Sequence, residues 1–191
     1  MDGMELCRRV KQDINTSHMM VILLTARTAE EVKIEGFRAG ADDYLSKPFN
    51  MEMLQLRISH LLELRRKRNE EFQKGEEVKV EEVALNEIDQ KFMNDALAAV
   101  EKNMDNEEYD IDAFASDVCM SRSTLYRKII SLTGQKPSEF IRTIRLKHAA
   151  RLIKEGKHSL TEIGYMCGFS STSYFYRCFK KQYGVQPGCY Q

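Results

Sequence analysis

The C-terminal part of the chain repeats one pattern. Cys119-Met120-Ser121-Arg122-Ser123-Thr124-Leu125-Tyr126-Arg127-Lys128 leads on to Gly134 and Pro137, and Gly168-Phe169-Ser170-Ser171-Thr172-Ser173-Tyr174-Phe175-Tyr176-Arg177 leads on to Gly184 and Pro187. From Leu125/Phe175 through Pro137/Pro187 the offset is a constant 50, and before the second helix of each copy it is 49, pairing Val118 with Cys167 and Met120 with Phe169. The second copy therefore carries one extra turn residue. Leu125 and Ile129 match Phe175 and Phe179 at i, i+4, the spacing of a buried helical stripe. Each copy reads as a helix, a turn and a second helix rich in Ser, Thr, Arg and Tyr, and in such a unit the second helix can enter the DNA major groove. A duplicated unit implies one chain that reads two adjacent groove segments.

Helix punctuation agrees. Ser121 and Ser171 stand as N-caps, and Gly134 and Gly184 suit the left-handed residue that follows a helix. Ser159-Leu160-Thr161-Glu162 is a capping box that opens the first helix of the second unit. Between the units, Ser138 to Glu155 is an uninterrupted helical stretch ended by Gly156, with Phe140, Ile141, Ile144, Leu146, Ala149, Leu152 and Ile153 as its apolar face.

Residues 111 to 191 resemble the AraC/XylS-type DNA-binding domain, two helix-turn-helix units joined by a long helix. The signature Gly-Phe-Ser-Ser-x-Ser-Tyr-Phe-x-Arg-x-Phe-Lys-Lys stands here as Gly168 to Lys181. The end, Pro187-Gly188-Cys189-Tyr190-Gln191, departs from the short polar pair and basic tail usual in the family, which removes a phosphate contact. Charge follows the repeat. Residues 111 to 191 carry 13 Lys and Arg against 5 Asp and Glu, whereas residues 1 to 110 carry 16 against 24. The basic part has the footprint of a polyanion partner, double-stranded DNA.

Candidate DNA-binding residues follow from position. Ser121, Arg122, Ser123, Tyr126 and Arg127 in the first unit, and Ser171, Thr172, Ser173, Tyr176 and Arg177 in the second, lie at the helix starts or on the polar face within reach of base edges or phosphate. Lys128, Lys136, Lys180 and Lys181 are expected to contact the backbone, which positions without specifying sequence. For Arg127 and Arg177 a salt bridge between helices is the competing role.

The first 65 residues differ in kind. Met20-Val21-Ile22-Leu23-Leu24 is a β-rich run ending in Thr25-Ala26, and a second strand ends at Asp43-Tyr44-Leu45-Ser46-Lys47-Pro48-Phe49, with helices expected at about Met4 to Asp13, Ala29 to Ala39 and Met51 to Arg66. Alternating strands and helices imply a parallel α/β unit. Leu-Leu-Thr-Ala and Gly40 to Phe49 resemble the C-terminal half of a response-regulator receiver domain, a doubly wound fold. The resemblance implies that Thr25 and Lys47 contact a phosphoryl group on an aspartate, that Tyr44 is the aromatic switch, and that the Lys47-Pro48 bond is cis. Asp42 and Asp43 read as surface or turn residues. In receivers the phosphorylated aspartate precedes a Met-Pro-x-Met-Asp-Gly turn, and this chain starts inside it at Met1-Asp2-Gly3. The acceptor and three strands are accordingly expected upstream, making the chain a piece of a longer regulator and leaving its half-sheet with an open apolar edge.

The expected organisation is a truncated receiver at 1–66, a charged solvated linker at 67–86 containing much of Arg65-Arg66-Lys67-Arg68 and Glu76-Glu77 within the wider run Glu63 to Glu82, and an all-α DNA-binding domain at 87–191. That domain opens with a helix from Glu87 to Met104, and Asp110 caps the next. Five cysteines without a Cys-x-x-Cys pair read as small buried hydrophobes, and four scattered histidines offer no metal spacing, so no metal, cofactor or catalytic residue is expected. No apolar run reaches the length of a membrane span, which suggests a cytoplasmic location, with membrane anchoring left open for a full-length parent. The reading is a sequence-specific transcription regulator of a two-component phosphorelay. Implied partners are DNA, a histidine kinase in the same polypeptide or separate from it, a second copy of the chain, and RNA polymerase. The alternative is a signalling or interaction module of a phosphorelay without DNA binding.

Overall fold

The computed structural model describes residues 2–26, 35–74, 80 and 86–190. Helix α1, Gly3–Gln12, starts where the Asp2 carboxylate accepts the Glu5 N–H at 2.8 Å, and it buries Cys7 against Ala39 and Ala41. Strands β1, Ile22–Thr25, and β2, Asp43–Ser46, pair in parallel with Leu23 opposite Tyr44 and Thr25 opposite Ser46. Most of the helix expected from Ala29 to Ala39 lies outside the described residues; 35–38 are helical.

Asp42 and Asp43 do more than line a turn. Asp42 Oδ2 accepts from both Lys11 Nζ and the Val21 N–H, each at 2.7 Å, which ties α1 to the start of β1. Asp43 is buried and pairs with Arg57 at 3.0 Å. Asp42 holds the turn before β2 as expected, whereas Asp43 stands inside β2 and is buried, which corrects its reading as a surface or turn residue; a carboxylate sunk this far needs donors.

Helix α2, Met51–Lys74, is the main departure from the sequence reading. Instead of fraying near Arg66 into a solvated linker, it continues for two more turns. The reason is Phe72, a single apolar residue in a charged stretch, which stacks on Phe140 at 5.8 Å between ring centroids, while Phe140 stacks on Phe114 at 5.9 Å. Burying an aromatic of this size outweighs the solvation of its charged neighbours, of which Arg66, Lys67, Glu71 and Lys74 stay exposed. Residues 75–79 and 81–85 lie outside the described residues.

Six helices follow: α3 Glu87–Lys102, α4 Ile111–Asp117, α5 Arg122–Thr133, α6 Pro137–Glu155, α7 Leu160–Met166 and α8 Thr172–Tyr183, with a 3-10 turn at Pro187–Cys189. The expected caps are in place. Ser121 accepts from the Thr124 N–H and Ser171 from the Tyr174 N–H, Ser159 and Glu162 close their capping box, and Gly134, Gly156 and Gly184 are left-handed at helix ends. Helix α6 serves two cores. Its first half gives Phe140, Ile141 and Ile144 to a cluster with α3, α4 and α5; its second half gives Leu146, Ala149 and Leu152 to a cluster with α7 and α8. One helix thus carries a helix-turn-helix unit on each end.

All five cysteines are free; Cys7, Cys167 and Cys178 are buried as expected, but Cys119 and Cys189 are exposed. Cys119 sits in the first turn at φ 53°, where its counterpart in the second turn is Gly168 at φ 69°. Both turns hold a left-handed residue, a conformation natural to glycine and uncommon for cysteine.

Candidate DNA-binding interface and receiver switch

In α5 the residues Leu125, Ile129 and Leu132 point into the first core, so the opposite face carries Arg122, Ser123, Tyr126 and Arg127 to solvent. In α8 Phe175 and Phe179 point inward, leaving Ser173, Arg177, Lys180 and Lys181 exposed and Thr172 and Tyr176 half-buried. Ser121, Ser171 and Lys136 are exposed at the helix starts. Arg122 pairs with Asp112 of α4 at 2.9 Å, both side chains being well exposed, so water and phosphate compete freely with that contact. Among the described residues neither Arg127 nor Arg177 makes an ion pair; the Arg177 guanidinium lies 5.4 Å from the Tyr174 ring centroid.

The structure removes Lys128 from the set of backbone contacts. Its side chain is fully buried, and its ammonium donates at 2.7 Å to Asp89 Oδ1, Ser17 Oγ and the Ile14 carbonyl, with the Phe92 ring centroid 5.0 Å away. Position 128 lies a third of a turn past Arg127, which turns it from the groove toward α3 and the α1–β1 loop. Burial pulls its pKa down, and the hydrogen bond and charge of Asp89 pull it back up. No local pattern signals this, because the partners stand 39 and 111 residues away.

Arg145 carries no local signal either. It is buried on α6 and donates to the carbonyls of Gly168 at 3.0 Å, Asn103 at 3.4 Å and Asn106, locking the second turn to the segment after α3. A β-carbon at Gly168 would come within 2.6 Å of the Met104 carbonyl and 2.7 Å of Arg145 Cζ, so this glycine is required by space as well as by φ.

At the receiver end, Thr25 and Lys47 close adjacent strands, and the Lys47 N–H donates to the Thr25 carbonyl at 2.6 Å. Lys47 is exposed, Thr25 half-buried and Tyr44 buried, and the Lys47-Pro48 peptide is cis. A hydroxyl and an ammonium at neighbouring strand ends are the pair a phosphoryl group needs to be held. Among the described residues no cluster of His, Cys, Asp and Glu could hold a metal ion, and no helix is long and apolar enough to cross a membrane.

Two sequence families meet in this chain: residues 1–59 match the response regulator receiver domain and residues 114–191 a helix-turn-helix domain. The chain thus joins receiver-domain sequence to a helix-turn-helix domain. It is 42% identical over all 191 of its residues to Histidine kinase P4 of Formosa agariphila, of which it spans only 14%. It is 34% identical over 155 residues to the transcriptional regulatory protein SpaR of Bacillus subtilis, covering 76% of this chain and 65% of that one. Among solved structures, an AraC-type transcriptional regulator from Chromobacterium violaceum aligns over 54% of this chain and 91% of its own at 29% identity, with a TM-score of 0.49.

Proposed function

We propose that the two helix-turn-helix units read adjacent major-groove segments on one face of a duplex, with base-edge contacts from Arg122, Ser123, Tyr126, Arg127, Thr172, Ser173, Tyr176 and Arg177 and phosphate contacts from Lys136, Lys180 and Lys181. The observation that carries this is the placement of two outward polar recognition helices at the two ends of α6, a helix of 19 residues. At about 1.5 Å per residue it spans roughly 28 Å, which with side-chain reach matches the roughly 34 Å between successive major grooves. The same domain carries the chain's excess of basic residues.

Upstream of DNA, the reading is that a histidine kinase supplies the phosphoryl group to the receiver that Thr25 and Lys47 complete. The alignment of the whole chain inside a larger relative named as a histidine kinase supports a kinase in the same polypeptide. A second copy of the chain and RNA polymerase are further partners consistent with a transcription regulator.

Selection of bound duplexes from a random pool tests the groove reading. The expected result is two recognition blocks about one helical turn apart, with log affinity falling against log salt at a slope of about −5 to −9. A single block, or no enrichment at all, would favour a phosphorelay module that does not read DNA.

A further inference from the structure

The two units share a fold but not their surroundings. At matched positions the first unit has Lys128 and Ser131 where the second has Cys178 and Lys181. Cys178 is buried in the second core and Lys181 is exposed, so nothing in the unit itself calls for a buried ammonium at the first of these positions. Yet Lys128, Asp89 and Ser17 are all fully buried and mutually bonded, with Ser17 Oγ donating to Asp89 Oδ1 at 2.7 Å. Asn86 joins from the start of α3, donating to the Ser17 carbonyl at 3.2 Å, and Ser131 Oγ donates to the His18 carbonyl at 3.3 Å. All three ammonium protons have acceptors, and two of those acceptors belong to the α1–β1 loop of the receiver part.

A buried charge this completely satisfied is costly to move unless its partners move with it. The opposite side of the same helix end is gripped by α2, where Arg65 Nε donates to the Ser131 carbonyl at 2.9 Å and Gln73 Nε2 to the Thr133 carbonyl at 3.2 Å. The C-terminal half of α5 is therefore held by the α1–β1 loop and by α2, while its N-terminal half presents the polar face. The loop that meets Lys128 leads directly into β1, which ends at Thr25.

We propose that Lys128 is a positioning residue through which the receiver part sets the first recognition helix, so that receiver state governs reading of the first half-site while the second unit binds independently of it. This rests on the two-half-site reading above. Among the described residues α8 has one hydrogen bond to α2, Gln182 Nε2 donating to the Gln73 carbonyl at 2.6 Å, and no counterpart to the Lys128 node.

The test uses the 191-residue chain on a duplex it has selected, with each half-site scrambled in turn. Scrambling the first half-site should weaken the wild type at least about tenfold, and weaken Ser17→Ala and Lys128→Met by no more than about threefold, while the penalty at the second half-site stays constant in all three. The double variant Lys128→Met with Asp89→Leu replaces the ion pair by apolar contact, which restores folding where the single variant is unstable. It should recover the thermal midpoint without recovering selectivity at the first half-site. Recovery of both, or equal loss at both half-sites in every variant, would show that the node only holds the fold and would overturn the proposal. Amide hydrogen exchange separates this from the DNA reading: in Ser17→Ala, α5 should exchange faster and α8 should not. If the wild type enriches no duplex, the groove reading fails, and equal exchange in α5 and α8 would then overturn the positioning role as well.

Discussion

The first helix-turn-helix unit is wedged against the receiver part and the second is comparatively free, although one sequence pattern wrote both. In α8 the positions after Arg177 run Cys178, Phe179, Lys180, Lys181, an inward pair followed by two exposed cations. In α5 the same positions are Lys128, Ile129, Ile130, Ser131, and the cations are gone from the surface. The second unit instead spends its inward face on aromatics, with Phe175, Phe179, Tyr183 and Tyr190 in mutual contact at 4.6 to 5.7 Å. A repeated fold tolerates this because the stripe that buries each helix is set by two or three positions, and the rest can be given to different neighbours.

The largest effect that could break the comparison is loss of a node partner. Asp89→Ala leaves the Lys128 ammonium buried without its counter-charge and should lower unfolding free energy by about 3 to 5 kcal/mol, measured by urea titration; Cys178→Ala at the matched position of the second unit should cost far less. Phe72→Ala should cost roughly 3 to 5 kcal/mol for the same assay, since it removes the end of a three-ring stack. A value near zero would restore the solvated-linker reading of that segment.

Contacts with DNA come next. Arg122→Ala or Thr172→Ala should cost roughly 1 to 3 kcal/mol and relax preference at particular base pairs. Lys181→Ala should weaken all sequences alike and reduce the magnitude of the salt slope by about 1, whereas Lys128→Met should leave the slope where it is. A slope change on Lys128→Met would return that lysine to the phosphate contacts.

A graded effect should come from pH. His18 is buried beside Lys128, Asp89, Arg65 and Arg127, and burial first, then the Lys128 charge, lowers its pKa to about 4. The folded protein therefore resists protonation that the unfolded chain accepts below about 6.5. Stability from this group is fully present above about pH 6.5 and is lost as pH falls toward 4. Exchange protection of α5 should decline over that window, and His18→Gln should flatten the decline.

The smallest effect concerns the turns. Cys119→Gly should stabilise by about 0.5 kcal/mol by relieving a left-handed cysteine, read as a small rise in thermal midpoint. The converse change, Gly168→Ala, has no such room against Met104 and Arg145 and should destabilise the second unit.

The sequence by itself determined what repeats and periodicity can carry. The offset of 50, the Ser caps, the glycines after each helix and the i, i+4 stripe place both recognition helices and their exposed faces, and the strand ends place Thr25, Tyr44 and Lys47. Apart from the repeat offset, these are local signals, readable within a few residues. What only the tertiary structure decided is how far the helix after β2 runs and what it touches. Phe72 looks like one apolar residue in a solvated run until Phe140 is brought beside it, and Lys128 looks like a phosphate contact until Ser17 and Asp89 arrive from far along the chain. A lysine on a recognition helix carries the same local pattern whether it faces a groove or a buried carboxylate. The direction is set by which neighbour fills the space beside it, and that is a property of the packed chain.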